Sequence, residues 1–523
     1  MSFPLDPSSY QWSQQSPFLW RRRALASESM WIPRPKELHE MFIRGTISLE
    51  PSLPSSTLKS AVRNAWRKLR FEFPELVAKG QYQDGKPFMQ CQIPKDEDEI
   101  NEWIYRTAFF DQGLNDLGFE GQRENHFLRK QAFDLETASL LLYLELDTDE
   151  DSVSRFHLML NMDHEATDGI GTRILFGKYL SLLAKVLSGS PGVGQGEIEW
   201  AESSRNLSPP WISIMDEEQV TSGPEYDEMA QMNKTLLLEN MAQNPGLPLL
   251  TPPSPPSQQT HFITLSTTQT TTLLASIKTI SPAANITSLA HAALVLAVLR
   301  STPPPLPPTF SSSCWLNGRS YLRPTTQIPQ PVKEYIQCCM SFAPIIFPDL
   351  SSLLPAKDAS KNEIKHKLKK ACLVATSEYT KIRERKSILP EIVVLLEAIG
   401  EAMSTAKMQN PTTPAQRPTT AAPLESSERT TLAADRQMQL LLSDGKAEQY
   451  IAHSYPHPSS SPPLFTVEEV NFAANADTEL IVRMSSWRNR TTISGEWNTR
   501  DYERAYIDRF LAEVVGTMLA IVD

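Results

Sequence analysis

Long apolar runs are missing from this chain. No uninterrupted stretch reaches the about 18 residues that a membrane-crossing helix needs, so no transmembrane segment is expected. The stretch from Met1 to Ser16 is polar, carries proline and lacks the apolar centre of a secretory signal. Cysteine is scarce. The five are Cys91, Cys314, Cys338, Cys339 and Cys372, and their spacing suits neither a disulfide framework nor a zinc cage. Cys338 and Cys339 are adjacent in an apolar stretch, where buried free thiols are expected. A reducing, cytoplasmic compartment is the corresponding expectation. Positive charge is in deficit: 50 Lys and Arg against 61 Asp and Glu leave a net charge of −11. That excludes a general nucleic-acid binder, whose surface is basic. It leaves room for a local basic patch. The glycine loop that cradles phosphate and the dinucleotide fingerprint are both absent. His453 and His457 lack the spacing of a zinc pair on one helical face, so neither a metal nor a resident cofactor is expected.

What is present is the composition of a soluble globular protein, 40% hydrophobic and 21% charged. At 523 residues it is too long for one core and is expected to form two or three domains. Ser188 to Gly196 reads as an exposed turn, and Asn244 to Gln259 as an extended proline-rich connector. Met408 to Thr430 reads as a mobile surface insertion, and Thr302 to Pro308 as a rigid loop, with a ligand for an SH3-like partner as the other reading. Helical periodicity covers Leu58–Phe73, Gly169–Leu187, Gln269–Ile280, Asn285–Leu299 and Tyr502–Leu519. Strand patterns fall within Lys130–Leu146 and over Arg155–Met162, His261–Leu265, Glu479–Met484 and Thr492–Trp497. Trp487 and Trp497 are expected in the core. Mixed elements on both sides of the connector indicate two α/β layers.

One segment carries chemistry: Phe156-His-Leu-Met-Leu-Asn-Met-Asp-His164-Glu-Ala-Thr-Asp168-Gly169. It reads as a strand, a tight corner and a helix, with His164 where strand becomes loop. An imidazole held there can act as a general base, because its ordinary pKa lies near neutral pH. Asp168 is placed to start the helix, where a carboxylate accepts backbone N–H bonds and faces the positive helix end. Gly169 leaves the turn room. Taken alone, the pattern also has a structural reading, since a histidine at a strand end is commonly a packing residue.

The segment resembles the His-x-x-x-Asp-Gly signature of the CoA-dependent acyltransferase superfamily. That superfamily includes chloramphenicol acetyltransferase, plant BAHD enzymes, condensation domains and fungal trichothecene O-acetyltransferases. Other stretches agree in order. Asn285-Ile-Thr-Ser-Leu-Ala-His-Ala-Ala-Leu294 looks like the helix that opens the second lobe. Trp315-Leu-Asn-Gly-Arg319-Ser-Tyr-Leu-Arg-Pro324 resembles the family's arginine-bearing segment. Leu442 through Trp487 and Trp497 to Phe510 is similar to trichothecene 15-O-acetyltransferase-like enzymes. The resemblance implies an α/β fold of two similar chloramphenicol-acetyltransferase-like lobes, each a mixed sheet with flanking helices, with a tunnel between them. The lobes would be 1–205 and 261–523, with 206–260 as crossover linker and the insertion at about 404–430. It further implies a monomeric acyltransferase in which His164 is the base and Asp168 turns away from substrate to pair with Arg319, orienting His164. Acyl-CoA would be the co-substrate and a small hydrophobic alcohol, such as a terpenoid, the acceptor.

The departures are specific. The Asp-Phe-Gly-Trp-Gly motif of the plant branch is missing, and Ser443-Asp-Gly445 is its nearest counterpart. Cys-Cys-Met-Ser341 replaces a Gly-Asn after the family tyrosine. Ser341 is therefore a candidate oxyanion donor, with a structural serine as the other reading. Asp163 precedes His164, where condensation domains carry a second histidine, and no carrier-protein segment is attached. Lys365 to Lys370 is a candidate for CoA phosphates or a solvated helix face. Arg21 to Arg23 reads as surface. Two alternatives stand beside the transferase: a stand-alone condensation-like enzyme using carrier-bound acyl groups, and a catalytically silent binding protein of the same fold.

Overall fold

The computed structural model describes residues 6–112, 117–133, 138–146, 151–189, 198–236, 244–250, 254–302, 305–324, 332–396, 436–437, 439–457 and 460–522. The insertion expected at about 404–430 lies outside the described residues, as does most of the turn expected at Ser188 to Gly196.

The first half is organised around the strand Ser152–Asp163. Phe156, Leu158, Leu160 and Met162 alternate onto one face and enter a core with Trp66, Leu69, Phe176 and Tyr179. That core is supplied by the helices Ser55–Glu72 and Gly169–Leu187. In the first helix Leu58, Ala61, Val62, Ala65, Trp66 and Leu69 recur at helical spacing and are all buried. The opposite face of the sheet is covered by the helix Gly118–Ala132, with Phe119 packing beside Phe42, Phe109 and Leu141. That helix runs into the stretch from Lys130 that reads as strand; the strand itself begins at Ser139.

The sheet has six strands in the order Ser454–His457, Ser460–Ala474, Glu40–Pro54, Ser152–Asp163, Ser139–Leu146 and Ala108–Gln112. Its last pair is parallel and the others antiparallel, so it is mixed. Two of its strands come from the far end of the chain. Ser460–Ala474 runs antiparallel along Glu40–Pro54, with Phe465 opposite Leu49 and Asn471 opposite Arg44. Division at residue 261 is therefore not a clean cut. The physical reason is that the edge of Glu40–Pro54 needs a partner, and Phe465, Val467 and Phe472 complete the first core.

The second half builds its own sheet, ordered Gln258–Thr264, Arg490–Asn498, Leu480–Trp487 and Gln439–Lys446. The helix Ile286–Arg300 is apolar on all sides and runs through this core, flanked by Lys361–Glu384 and Arg504–Leu519. Asn285 caps it by accepting from the Ser288 N–H at 3.0 Å. A separate antiparallel pair, Thr309–Asn317 with Met340–Pro348, leads toward the motif helix of the first half. Trp487 and Trp497 are both buried, as are all five cysteine thiols, which are free.

A four-stranded sheet near the N-terminus has no clear sequence signal. It joins Ser13–Ser16, Leu19–Arg23, Lys86–Gln92 and Lys79–Gln83. It also corrects the surface reading of Arg21 to Arg23. Arg22 is buried and pairs with both carboxylate oxygens of Glu28 (2.8 and 2.5 Å), because the strand turns its middle arginine inward.

Candidate active site

The motif strand ends at Asp163, and the chain turns through His164 to Thr167 before the helix Gly169–Leu187 begins. The His164 N–H donates to the His39 carbonyl at 2.8 Å, which extends the strand pairing one residue into the corner. Asp168 is the helix cap. Its Oδ1 accepts from the backbone N–H groups of Ile170 (3.0 Å) and Gly171 (2.8 Å).

Two groups from the second half finish this carboxylate. Arg319 donates through Nη1 to Oδ2 and through Nη2 to Oδ1, both at 3.0 Å. The Cys339 N–H donates to Oδ2 at 2.9 Å. Arg319 is held in turn by the carbonyls of Tyr335 (2.6 Å) and Gln337 (3.0 Å) and by Asn317 Oδ1 (3.2 Å). Asp168 is 1% exposed and Arg319 5%, so the pair is sealed from water. Burial raises the Asp168 pKa, but Arg319 and the backbone donors outweigh it and hold the carboxyl below its ordinary value. The carboxylate points at the helix start and the second half, not at the imidazole.

The close fit at this corner depends on Gly171. A Cβ there would overlap Thr167 Oγ1 and the Ile336 carbonyl, which are hydrogen-bonded to each other, and crowd Arg319 Nη2. Gly171→Ala is expected to destabilise the fold by about 1–3 kcal/mol through overpacking. A thermal melt unchanged from wild type would contradict this.

His164 is partly exposed while its neighbours from Asn161 to Asp163 and Glu165 to Asp168 are buried. Its Nδ1 is buried and bonds to no other residue among the described residues; Nε2 is not sealed in this way. The Trp31 indole stacks on the ring with centroids 4.0 Å apart and planes 18° from parallel. Burial pushes the imidazole pKa down to about 4, against the opposing pull of the Asp168 and Asp163 carboxylates. The ring is therefore neutral at pH 7 and able to accept a proton.

Other predicted positions fall differently. Ser341 is buried and its hydroxyl donates to the Ile388 carbonyl, so that hydrogen is already committed to a structural bond. Asp444, at a bulge in the strand Gln439–Lys446, pairs with Arg173 of the motif helix and with Arg483 (3.0 Å). Phe472 lies under both guanidiniums, at 4.0 and 4.6 Å. Lys367 and Lys370 donate to Ser352 on their own surface (2.7 and 2.6 Å), which fits the solvated-face reading. His453 meets Glu448 at 3.1 Å, and the side chain of His457 lies outside the described residues.

Sequence reasoning missed the shell behind His164. His39 is fully buried, with Nδ1 3.4 Å from both Asp163 Oδ1 and Glu165 Oε1. These three offer ligand atoms within 4.8 Å of one another, the grouping among the described residues that is able to hold a metal. The Lys36 ammonium, 2.6 Å from Glu165 Oε1, already neutralises it. Asp163, next to the motif histidine, gave the available signal; Trp31 and His39 gave none.

Comparison with known proteins gives the family and the fold. A family described as 15-O-acetyltransferase Tri3 matches residues 40–394. The trichothecene 15-O-acetyltransferase TRI3 of Fusarium sporotrichioides is 24% identical over 99% of this chain and 98% of its own. The solved structure of that TRI3 superposes with a TM-score of 0.81 at 20% identity, covering 99% of both chains. The epimerization domain from the third module of tyrocidine synthetase B shares the fold more distantly, with a TM-score of 0.53 at 14% identity over 98% of this chain and 99% of its own. The architecture is thus the chloramphenicol-acetyltransferase-like α/β fold.

Proposed function

Because the chain belongs to the 15-O-acetyltransferase Tri3 family, we propose that it moves an acetyl group from acetyl-CoA to a hydroxyl of a trichothecene-type terpenoid, with His164 as general base. The chain is an O-acyltransferase of secondary metabolism; the acceptor, the acyl length and the roles of individual residues are what is proposed. The observation that carries the proposal is a neutral, partly exposed imidazole with an unsealed Nε2, on a corner fixed by the buried Asp168–Arg319 pair.

Nε2 takes the proton of the acceptor alcohol as its oxygen attacks the thioester carbonyl. The tetrahedral intermediate collapses, the C–S bond breaks, and the imidazolium returns its proton to the departing thiolate. Proton transfer of this kind contributes roughly 10²–10⁴-fold. Binding both substrates in one site adds more, because the encounter entropy is met on binding. Asp168 supports the ring from behind by fixing the turn, and Arg319 keeps that carboxylate charged.

Incubation with acetyl-CoA and a trichothecene bearing a free 15-hydroxyl tests the proposal by mass spectrometry. An acetyl ester is the expected product. Ester formed only from a carrier-bound acyl group would move the assignment to the condensation-like reading.

The pH dependence is a separate check. The base is active when deprotonated, so kcat/KM is expected to stay level from neutral pH downward and to fall as pH drops through about 4. An acid limb near the ordinary imidazole value of about 6.5 would show a solvated ring.

A further inference from the structure

Trp31 is half-buried in the turn that follows the short helix Ala26–Ser29. Its indole lies flat on the His164 imidazole at 4.0 Å and meets the His39 ring edge-on at 5.9 Å and 71°. The Arg34 guanidinium lies over the same indole at 4.9 Å. Trp31 Nε1 is buried without a hydrogen-bond partner among the described residues, and ring contacts hold the side chain.

The reaction proposed for His164 makes an electrostatic demand. Between taking the alcohol proton and releasing it to sulfur the ring is a cation in a largely buried place. In a serine-protease triad a carboxylate bonds the far nitrogen and stabilises that cation. Here no carboxylate among the described residues bonds the ring; its own backbone favours the charged form, and the hydrogen bonds of Asp168 go to Ile170, Gly171, Cys339 and Arg319. The charged or titratable groups around the ring are Asp168 and Asp163, which favour the cation, and His39, which opposes it. Arg34 sits beyond the indole.

We propose that Trp31 is a positioning residue for acyl transfer: its indole face fixes the plane of the His164 imidazole and stabilises the imidazolium formed during the reaction. The electron-rich face of an indole attracts a cation, and more strongly where water is excluded. The stack also keeps the ring from rotating about its bonds, so Nε2 stays aimed at the acceptor. Trp31 thus adds a contact at the ring face to the longer-range pull of Asp168 and Asp163. This inference rests on His164 being the base, and the test separates the two.

The rate of thiol release from acetyl-CoA, with and without a trichothecene 15-alcohol, is compared for wild type, His164→Ala, Trp31→Leu, Trp31→Phe and Trp31→Ala. Trp31→Leu keeps bulk and removes the aromatic face; kcat is expected to fall about tenfold with the acetyl-CoA KM within twofold. Trp31→Phe restores most of that loss. In Trp31→Ala water also reaches the ring and raises its pKa, so the diagnostic acid limb of kcat/KM is that of Trp31→Leu: it is expected to move to lower pH as the dry imidazolium loses its aromatic face, which a merely structural role would not produce. A Trp31→Leu kcat within twofold of wild type, or a Phe variant no better than Leu, overturns the proposal. Should Trp31→Leu fail to fold by circular dichroism, the acid limb of Trp31→Phe decides: a shift to lower pH supports the role, because the weaker face holds the imidazolium less well, and a limb unmoved or raised overturns it. An active His164→Ala protein would instead remove the base reading on which all of this stands.

Discussion

Replacement of His164 by alanine is expected to lower kcat by about 10²–10⁴-fold while leaving the fold intact. The ring bonds to no other residue among the described residues and is partly open to solvent, so truncation removes chiefly its stack on Trp31. Its backbone N–H bond to the His39 carbonyl survives truncation. What disappears is the atom that accepts the alcohol proton. Residual turnover would come from holding the substrates together. The measurement is thiol release from acetyl-CoA by a variant whose circular dichroism and melting match wild type. Near-normal turnover by such a protein would remove His164 from the mechanism.

Asp168→Ala is expected to act on the whole molecule. It leaves the Arg319 guanidinium buried without its counter-charge, which costs about 3–5 kcal/mol, and it uncaps the motif helix. The effect should appear as a large drop in melting temperature together with lost activity. Asp168→Asn separates the two roles, since asparagine caps helices nearly as well but carries no charge. It should keep part of the fold and still lose the arginine pair. The pH dependence follows from the depressed Asp168 pKa. Stability from this carboxylate is fully present above the unfolded value of about 3.9 and is lost as pH falls through the lower folded value. The gap in melting temperature between wild type and Asp168→Asn should therefore be widest near neutral pH and close only in strong acid. A constant gap would show that the charge does not matter.

The motif region and most secondary structure are legible in the sequence. Periodicity places the helix Gly169–Leu187 to its last residue, and Asp168 reads as its cap from side-chain chemistry alone. The contact between Asp168 and Arg319, 151 positions apart, is different. No spacing rule links them, and only family resemblance points to it. Ser341 shows the limit of such transfer. The strand Met340–Pro348 buries that hydroxyl against Ile388, a contact set by tertiary packing that the local sequence does not encode. Arg22 is a similar case: a run of three arginines reads as solvated until a sheet turns one of them toward Glu28. Trp31 and His39 sit in a segment without periodicity, and their place beside His164 follows from how the N-terminal strands fold over the corner.

The strand Ser460–Ala474 has a consequence for biosynthesis. During translation the polypeptide through residue 261 is made long before its missing neighbour, so the Glu40–Pro54 border stays open while nearly two hundred further positions are added. An open border of that kind invites association between nascent chains. Separately expressed halves would each lack a piece of the same sheet, so the natural unit of production is the uncut polypeptide, in which a late strand closes what an early one begins.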